Sequence, residues 1–92
     1  MFAQANEAAV HHLRTKGGEH EVDFIIEGVD GRVLAIEVKL ASSVGESDVG
    51  HLKWLAKKIG DQLIDSVIIT TGAEAYRRSD GIAVVPASLL GP

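Results

Sequence analysis

Cysteine is absent from this 92-residue chain, which excludes disulfide staples and thiolate-held zinc and leaves nothing that points to secretion. Basic side chains are scarce: nine lysines and arginines stand against thirteen aspartates and glutamates, for a net charge of −4. Nucleic-acid phosphates are bound mainly through lysine and arginine, so this balance does not select such a partner, although it leaves room for a local basic patch. Long apolar runs are missing too. Every one falls far short of the roughly 20 residues that a membrane-crossing helix needs, so no membrane span is expected. The opening Met1-Phe2-Ala3-Gln4-Ala5-Asn6-Glu7 lacks a basic segment leading into an apolar run and does not read as a signal peptide. These absences together predict a cytoplasmic protein.

What is present has globular proportions. The apolar share is 46% and the charged share 24%, neither of which suggests disorder. The length predicts one domain over residues 1–92, near the small end of what folds alone. Such a chain buries roughly 60–65% of its unfolded surface, which implies modest stability.

The pattern along the chain predicts strand, strand, strand, helix, strand and short strand. The alanine-rich first nine residues suggest a turn or two of helix. Residues 10–15 read as a strand, and Gly17-Gly18 as a two-residue hairpin turn with positive φ. Residues 19–27 form the second strand, with Val22, Phe24 and Ile26 alternating against Glu21, Asp23 and Ile25. After Val29-Asp30-Gly31 comes a third strand over 32–40. Leu34, Ile36, Val38 and Leu40 share one of its faces, and Val33, Ala35, Glu37 and Lys39 the other. Residues 41–46 are a polar loop, and Ser47 is placed to cap a helix carrying Val49, Leu52, Leu55, Ala56 and Ile59 at helical spacing. Gly60 ends that helix. Val67-Ile68-Ile69-Thr70-Thr71 reads as a buried strand, 73–81 as a loop with one helical turn, and 82–85 as a last short strand stopped by Pro86. The fold class is α/β: a mixed sheet with an antiparallel three-strand meander, one main helix and a further strand.

The chemistry rests on hairpin register. A three-residue loop at Val29-Asp30-Gly31 puts Gly31 in the left-handed position and sets Gly28 against Arg32. Phe24 then faces Ile36, Ile26 faces Leu34 and Val22 faces Val38. A two-residue loop at Asp30-Gly31 breaks this apolar matching, which decides for the first register. In it Asp23 lies across from Glu37, and Glu21 across from Lys39. Facing carboxylates repel, and sheets avoid them. A divalent cation turns the pair into a site, since Mg²⁺ takes oxygen ligands and needs only one or two protein carboxylates. Lys39, two residues from Glu37, lies on the same face, where an ammonium can orient water or offset charge developing on a phosphate.

Asp23, the run Glu37-Val38-Lys39 on the next strand, and the helix and strand beyond resemble the PD-(D/E)XK nuclease superfamily. The segments His12-Leu13-Arg14-Thr15, Glu21-Val22-Asp23-Phe24 and Ile36-Glu37-Val38-Lys39, continued by Ser47-Asp48, Leu52, Leu55-Ala56, Thr71-Gly72 and Ala83-Val84-Val85-Pro86, are similar to a C-terminal domain of unknown function. That domain ends many bacterial AAA-type P-loop ATPases. The resemblance implies a restriction-endonuclease-like core, Mg²⁺ or Mn²⁺ held by Asp23 and Glu37, and Lys39 as catalytic base. Two departures stand beside it. The residues before Val10 leave little room for the helix that usually opens the superfamily core, with Glu7 a poor substitute for its acidic ligand. No Gly-x-x-x-x-Gly-Lys-Ser/Thr phosphate loop occurs, so any ATPase domain belongs to a longer parent protein.

The remaining polar residues have bland and functional readings. The bland reading of Glu37 and Lys39 is a solvated sheet face with an ordinary Lys39–Glu21 ion pair. His12 falls near Asp23 as a carboxylate-bonded histidine or a helper of metal or phosphate, Arg14 pairs with Glu21, and His11 lies at the surface. His51, Lys53, Lys57 and Lys58 make one side of the helix basic, either a solvated face or a phosphate contact, and Arg77 and Arg78 lie in a loop, either exposed or against a phosphate. Trp54, off the apolar stripe, either covers the edge of the core or, the reading favoured, marks a surface for a partner chain or missing domain. Two functions follow: a metal-dependent phosphodiesterase, or a non-catalytic accessory domain for assembly or nucleic-acid contact. Asp23, Glu37 and Lys39 favour the first; the acidic balance and the missing helix favour the second. A truncated core should also seek cover, which predicts a homodimer.

Overall fold

The protein is described by a computed structural model over residues 8–91. Helix in the first residues, expected from their alanine content, lies outside the described residues except at Ala8 and Ala9, which open a strand. Six strands form one sheet: β1 (Ala8–Arg14), β2 (Glu21–Gly28), β3 (Val33–Lys39), β4 (Leu63–Thr70), β5 (Tyr76–Arg77) and β6 (Ala83–Pro86). Their spatial order is β1-β2-β3-β4-β6-β5. The first three run as an antiparallel meander. A single helix, α1 (Gly50–Ile59), carries the chain over to β4, which lies parallel to β3. β6 adds parallel to β4, and β5 closes the far edge antiparallel. The fold is α/β with a mixed sheet and one main helix, as the pattern predicts.

The β2–β3 turn forms as expected. Gly31 has φ +83°, the Gly28 N–H donates to the Arg32 carbonyl at 2.8 Å, and Phe24, Ile25, Ile26 and Glu27 face Ile36, Ala35, Leu34 and Val33. The first hairpin differs. Instead of a two-residue turn, a short 3₁₀ turn over Lys16–Gly18 links the strands, with Thr15 N–H donating to the His20 carbonyl at 3.0 Å. The longer loop is centred on the same two glycines, so Arg14 still faces Glu21. Farther along, one extra residue on β2 makes a bulge between His11 and Leu13 of β1. The bulge swaps faces: Val22 and Ile25 both point into the core, and the simple alternation of Val22, Phe24 and Ile26 fails.

Helix α1 buries Leu52 and Leu55 against Val22, Ile25, Val33, Ala35 and Ile68. Fully burying each leucine contributes roughly 1.5–3 kcal/mol. Gly60, at φ +56°, ends the helix, and its N–H donates to the Ala56 carbonyl. Ser47 makes no cap. A 3₁₀ turn over Glu46–Asp48 precedes the helix, and the Asp48 carboxylate accepts the Gly45 N–H at 2.7 Å.

The helix therefore covers the face that carries Val33, Ala35, Glu37 and Lys39, not a solvated one. The face bearing Leu34, Ile36 and Val38 has no helix over it among the described residues: Phe24 is 45% exposed and Val38 42%. In place of the expected helical turn, the 73–81 segment holds the short strand β5.

Candidate functional site

The β2–β3 ladder stops at the Phe24–Ile36 pair. Beyond it the strands part, and backbone groups that a continuing ladder would pair are met by side chains instead. Glu37 Oε1 accepts the Asp23 N–H at 2.8 Å, and Asp23 Oδ2 accepts the Val38 N–H at 2.8 Å. Each carboxylate thus braces the opposite strand. One strand turn further, the Glu21 N–H donates to His51 Nδ1 at 3.2 Å, from the first turn of α1. Asp23 and Glu37 are brought together as the register predicts, through side-chain-to-backbone bonds rather than as a stacked cross-strand pair.

Lys39 is held differently from both expectations. Its Nζ donates to Asp48 Oδ1 at 2.6 Å, while Glu21 pairs with Arg14 at 3.4 Å. Lys39 still shares space with Glu37: together with Val38, Ser47, Asp48, His51 and Ile68 they line a cleft of about 280 Å³, with Asp23 just outside the lining.

The charges are unevenly matched. Burial raises the Glu37 pKa above the ordinary carboxylate value. The Asp23 N–H works against that rise, and the nearby Asp23 and Glu21 charges add to it. The Lys39 hydrogen bond, helped by the Gly45 N–H, holds Asp48 below its ordinary value. Lys39 and Asp48 largely satisfy each other, so Glu37 is the carboxylate left short of positive charge.

The donor set suits a hard divalent cation. Asp23 and Glu37 each commit one oxygen to a backbone N–H and keep the other, so the pair can offer two carboxylate oxygens, within what Mg²⁺ or Mn²⁺ asks of a protein. No group of three histidine, aspartate or glutamate side chains comes together among the described residues, so water would complete the coordination. Glu7 lies outside the described residues.

Other sequence candidates settle into structural contacts. His12 Nδ1 meets the Asp23 backbone carbonyl at 3.3 Å, not its carboxylate, and His11 pairs with Glu27 at 3.3 Å on the surface. Lys53 is tied to Glu46 and Asp80, Arg78 to the same two acids, and Arg77 to Asp65, so these cations brace the loops around α1 and β6. Trp54 packs on the core edge, stacked on His20 with ring centroids 4.2 Å apart and 9° between planes. It is already covered within this chain. Asp48 is the site residue that sequence reasoning missed, and His51, read with the helix lysines as a solvated or phosphate-contacting face, turns toward the fork instead. The available signal was their spacing of three, which places both on one side of the helix start.

No helix among the described residues is long and apolar enough to cross a membrane. No curated protein and no solved structure matches the chain. Residues 1–90 do match a family described as Domain of unknown function (DUF4143). With the match spanning nearly the whole sequence, and the strand fork, helix and parallel strands all lying inside it, the chain belongs to the DUF4143 family.

Proposed function

We propose that this chain is a nuclease-like domain of the PD-(D/E)XK type, with a restriction-endonuclease-like core and a Mg²⁺- or Mn²⁺-dependent site for phosphodiester hydrolysis. The observation that carries the reading is the fork in which Asp23 and Glu37 cross-brace two strands and each keeps an oxygen free. A bound divalent cation supplies Lewis-acid polarisation of a phosphoryl oxygen and a more acidic water. The rest falls to the chain's own residues. Asp23 and Glu37 would hold the ion, and their bonds to the opposite strand's backbone fix both carboxylates in place. Lys39 has three N–H donors and gives one to Asp48, so two remain to orient a water or offset charge in the cleft. The substrate class is a nucleic-acid phosphodiester. The parent protein, on this reading, carries an ATPase domain ahead of the segment, which the reading frame upstream of Met1 tests.

The decisive experiment pairs cleavage with thermal stability. Wild-type protein with Mn²⁺ is expected to nick plasmid or degrade single-stranded DNA, and millimolar Mg²⁺ or Mn²⁺ to raise its Tm, because an ion that binds only the folded state stabilises it. Lys39→Ala should lose cleavage and keep the Tm shift, whereas Asp23→Asn/Glu37→Gln should lose both. An equal Tm shift in the double variant, or cleavage that survives in Lys39→Ala, sinks the reading.

A second reading, an accessory domain that works through assembly, is favoured by the uncovered sheet face. Val10, Phe24, Val38 and Ile64 are all exposed there, beside parallel strands whose kind is normally covered on both sides. A second copy of this chain is the proposed cover. The molecule measures 34 × 33 Å across its two longer axes, wide enough for the roughly 800 Å² per partner of a standard interface. Light scattering should give the mass of a dimer; a monomer at high protein concentration removes the idea.

A further inference from the structure

We infer that His51 is a fixed hydrogen-bond donor to a phosphate oxygen in the cleft beside Glu37 and Lys39, an inference that rests on the nuclease-like reading above. The tautomer of the ring decides its role. His51 Nδ1 accepts the Glu21 N–H at 3.2 Å, and a ring nitrogen that accepts carries no proton. The proton of the neutral ring is therefore on Nε2, the nitrogen left free for the cleft that His51 lines with Glu37, Lys39 and Asp48. A protonated Nε2 has no lone pair to offer a metal ion and cannot take a proton from water. It can only donate. His51 is thus neither a third metal ligand nor a general base.

The ring is also held in place. His20 packs on it in a T-shaped arrangement, 87° between planes and centroids 5.6 Å apart, and His20 is in turn stacked on Trp54. A donor supported from behind and anchored through its other nitrogen gives up little freedom on binding. The cleft itself calls for an ionic bridge. Glu37 and Asp48 repel an anion, so a phosphate enters only with a divalent cation at Asp23 and Glu37. Its oxygens then lie between that ion, the Lys39 ammonium and His51 Nε2–H. The preferred ligand is a phosphate group carried in with Mg²⁺, not a free anion.

Long-range ¹H–¹⁵N correlation spectra of ¹⁵N-histidine-labelled protein read the tautomer directly. His51 is expected in the Nε2–H form, and finding the Nδ1–H form overturns the proposal. Inorganic phosphate is then titrated by calorimetry, with and without Mg²⁺. Wild type should bind it only with Mg²⁺, with a shift of the His51 Nε2 signal. His51→Asn keeps an acceptor for the Glu21 N–H but places no donor at the Nε2 position, so it should bind phosphate about tenfold more weakly. His51→Gln puts a donor back there and should recover most of the loss. The Mg²⁺-dependent rise in Tm should be the same in all three proteins. Equal phosphate affinity in wild type and His51→Asn overturns the assignment, as does a wild type that binds no phosphate with Mg²⁺ present. A Tm that does not respond to Mg²⁺ is a different failure, that of the metal site on which this inference rests, and it overturns both, whereas a Mg²⁺ response without a His51 effect overturns this inference alone.

Discussion

The two ends of the β2–β3 hairpin are made by the same two strands and solve opposite problems. At the closed end, Gly31 turns the chain and backbone pairs with backbone from Glu27–Val33 to Phe24–Ile36. At the open end the ladder ceases, and Glu37, Asp23 and His51 take up the Asp23, Val38 and Glu21 N–H groups. The closed end is a stability device: backbone groups pair across the turn, and the Asp30 carboxylate accepts the Arg32 N–H at 3.0 Å. The open end spends three polar side chains on bracing a gap and leaves carboxylate oxygens unmatched. That contrast is what a binding site inside a sheet requires: an unbroken ladder leaves no room for a ligand, and an unbraced one leaves orphaned donors.

The comparison can be broken first at the closed end. Gly31→Val should cost about 2 kcal/mol in urea unfolding, since a β-branched residue does not tolerate positive φ. Crowding is not the cause: a Cβ there comes no nearer than 4.0 Å, to the Gln62 amide. The Mg²⁺ response of the open end should survive, and losing it would show that the two ends are not separable. A smaller effect, of opposite sign, is expected behind the open end. His20 Nδ1 is buried without a hydrogen-bond partner, so His20→Phe keeps a ring against Trp54 and removes the orphan. It should stabilise the protein by about 1 kcal/mol, a rise of several degrees in Tm for a domain of this size. An unchanged or lower Tm would mean that Nδ1 is satisfied by water.

The smallest effect, and the sharpest test of the contrast, is in pH dependence. A carboxyl whose pKa is raised on folding holds its proton more tightly in the folded state, so ionising it costs stability. For Glu37 that cost is absent below the ordinary carboxylate range and complete above the raised value. Metal-free Glu37→Gln should accordingly melt above wild type at pH 7 and match it in acid. Asp48 runs the other way. Its lowered pKa contributes stability that is present above the ordinary aspartate value and fades as pH falls through the folded one. Asp48→Asn should melt below wild type at pH 7 and converge with it in acid. Both shifts should be modest because the groups are partly solvated. Melting curves with parallel pH slopes in the two variants would contradict the reading.

Much of this was legible in the residues. The Gly31 turn and the apolar matching of Phe24 with Ile36 and Ile26 with Leu34 placed Asp23 by Glu37 before any coordinates were needed, because turn chemistry and side-chain alternation act over a few residues. Two things were not legible. The bulge beside Asp23 follows no local rule in Glu21-Val22-Asp23-Phe24, and it reverses the facing of Val22. The choice of covered face was also hidden, since β3 is apolar on both sides: Leu34, Ile36 and Val38 offer more surface than Val33 and Ala35, yet α1 packs on the latter.

By itself, then, the sequence determined the three-strand meander, the helix and the strand after it, the closed hairpin, the end of the helix at Gly60 and the neighbourhood of Asp23 and Glu37, but not β5. All of these rest on short-range backbone preference and on alternation with period two. The tertiary structure decided that Lys39 answers to Asp48, that His51 reaches Glu21, and that the Glu37 side of the sheet lies against the helix. Those pairings join residues 9 to 30 positions apart. They depend on where the β3-α1-β4 crossover sets the helix over the sheet, a choice made by packing of the whole core and not by any one segment.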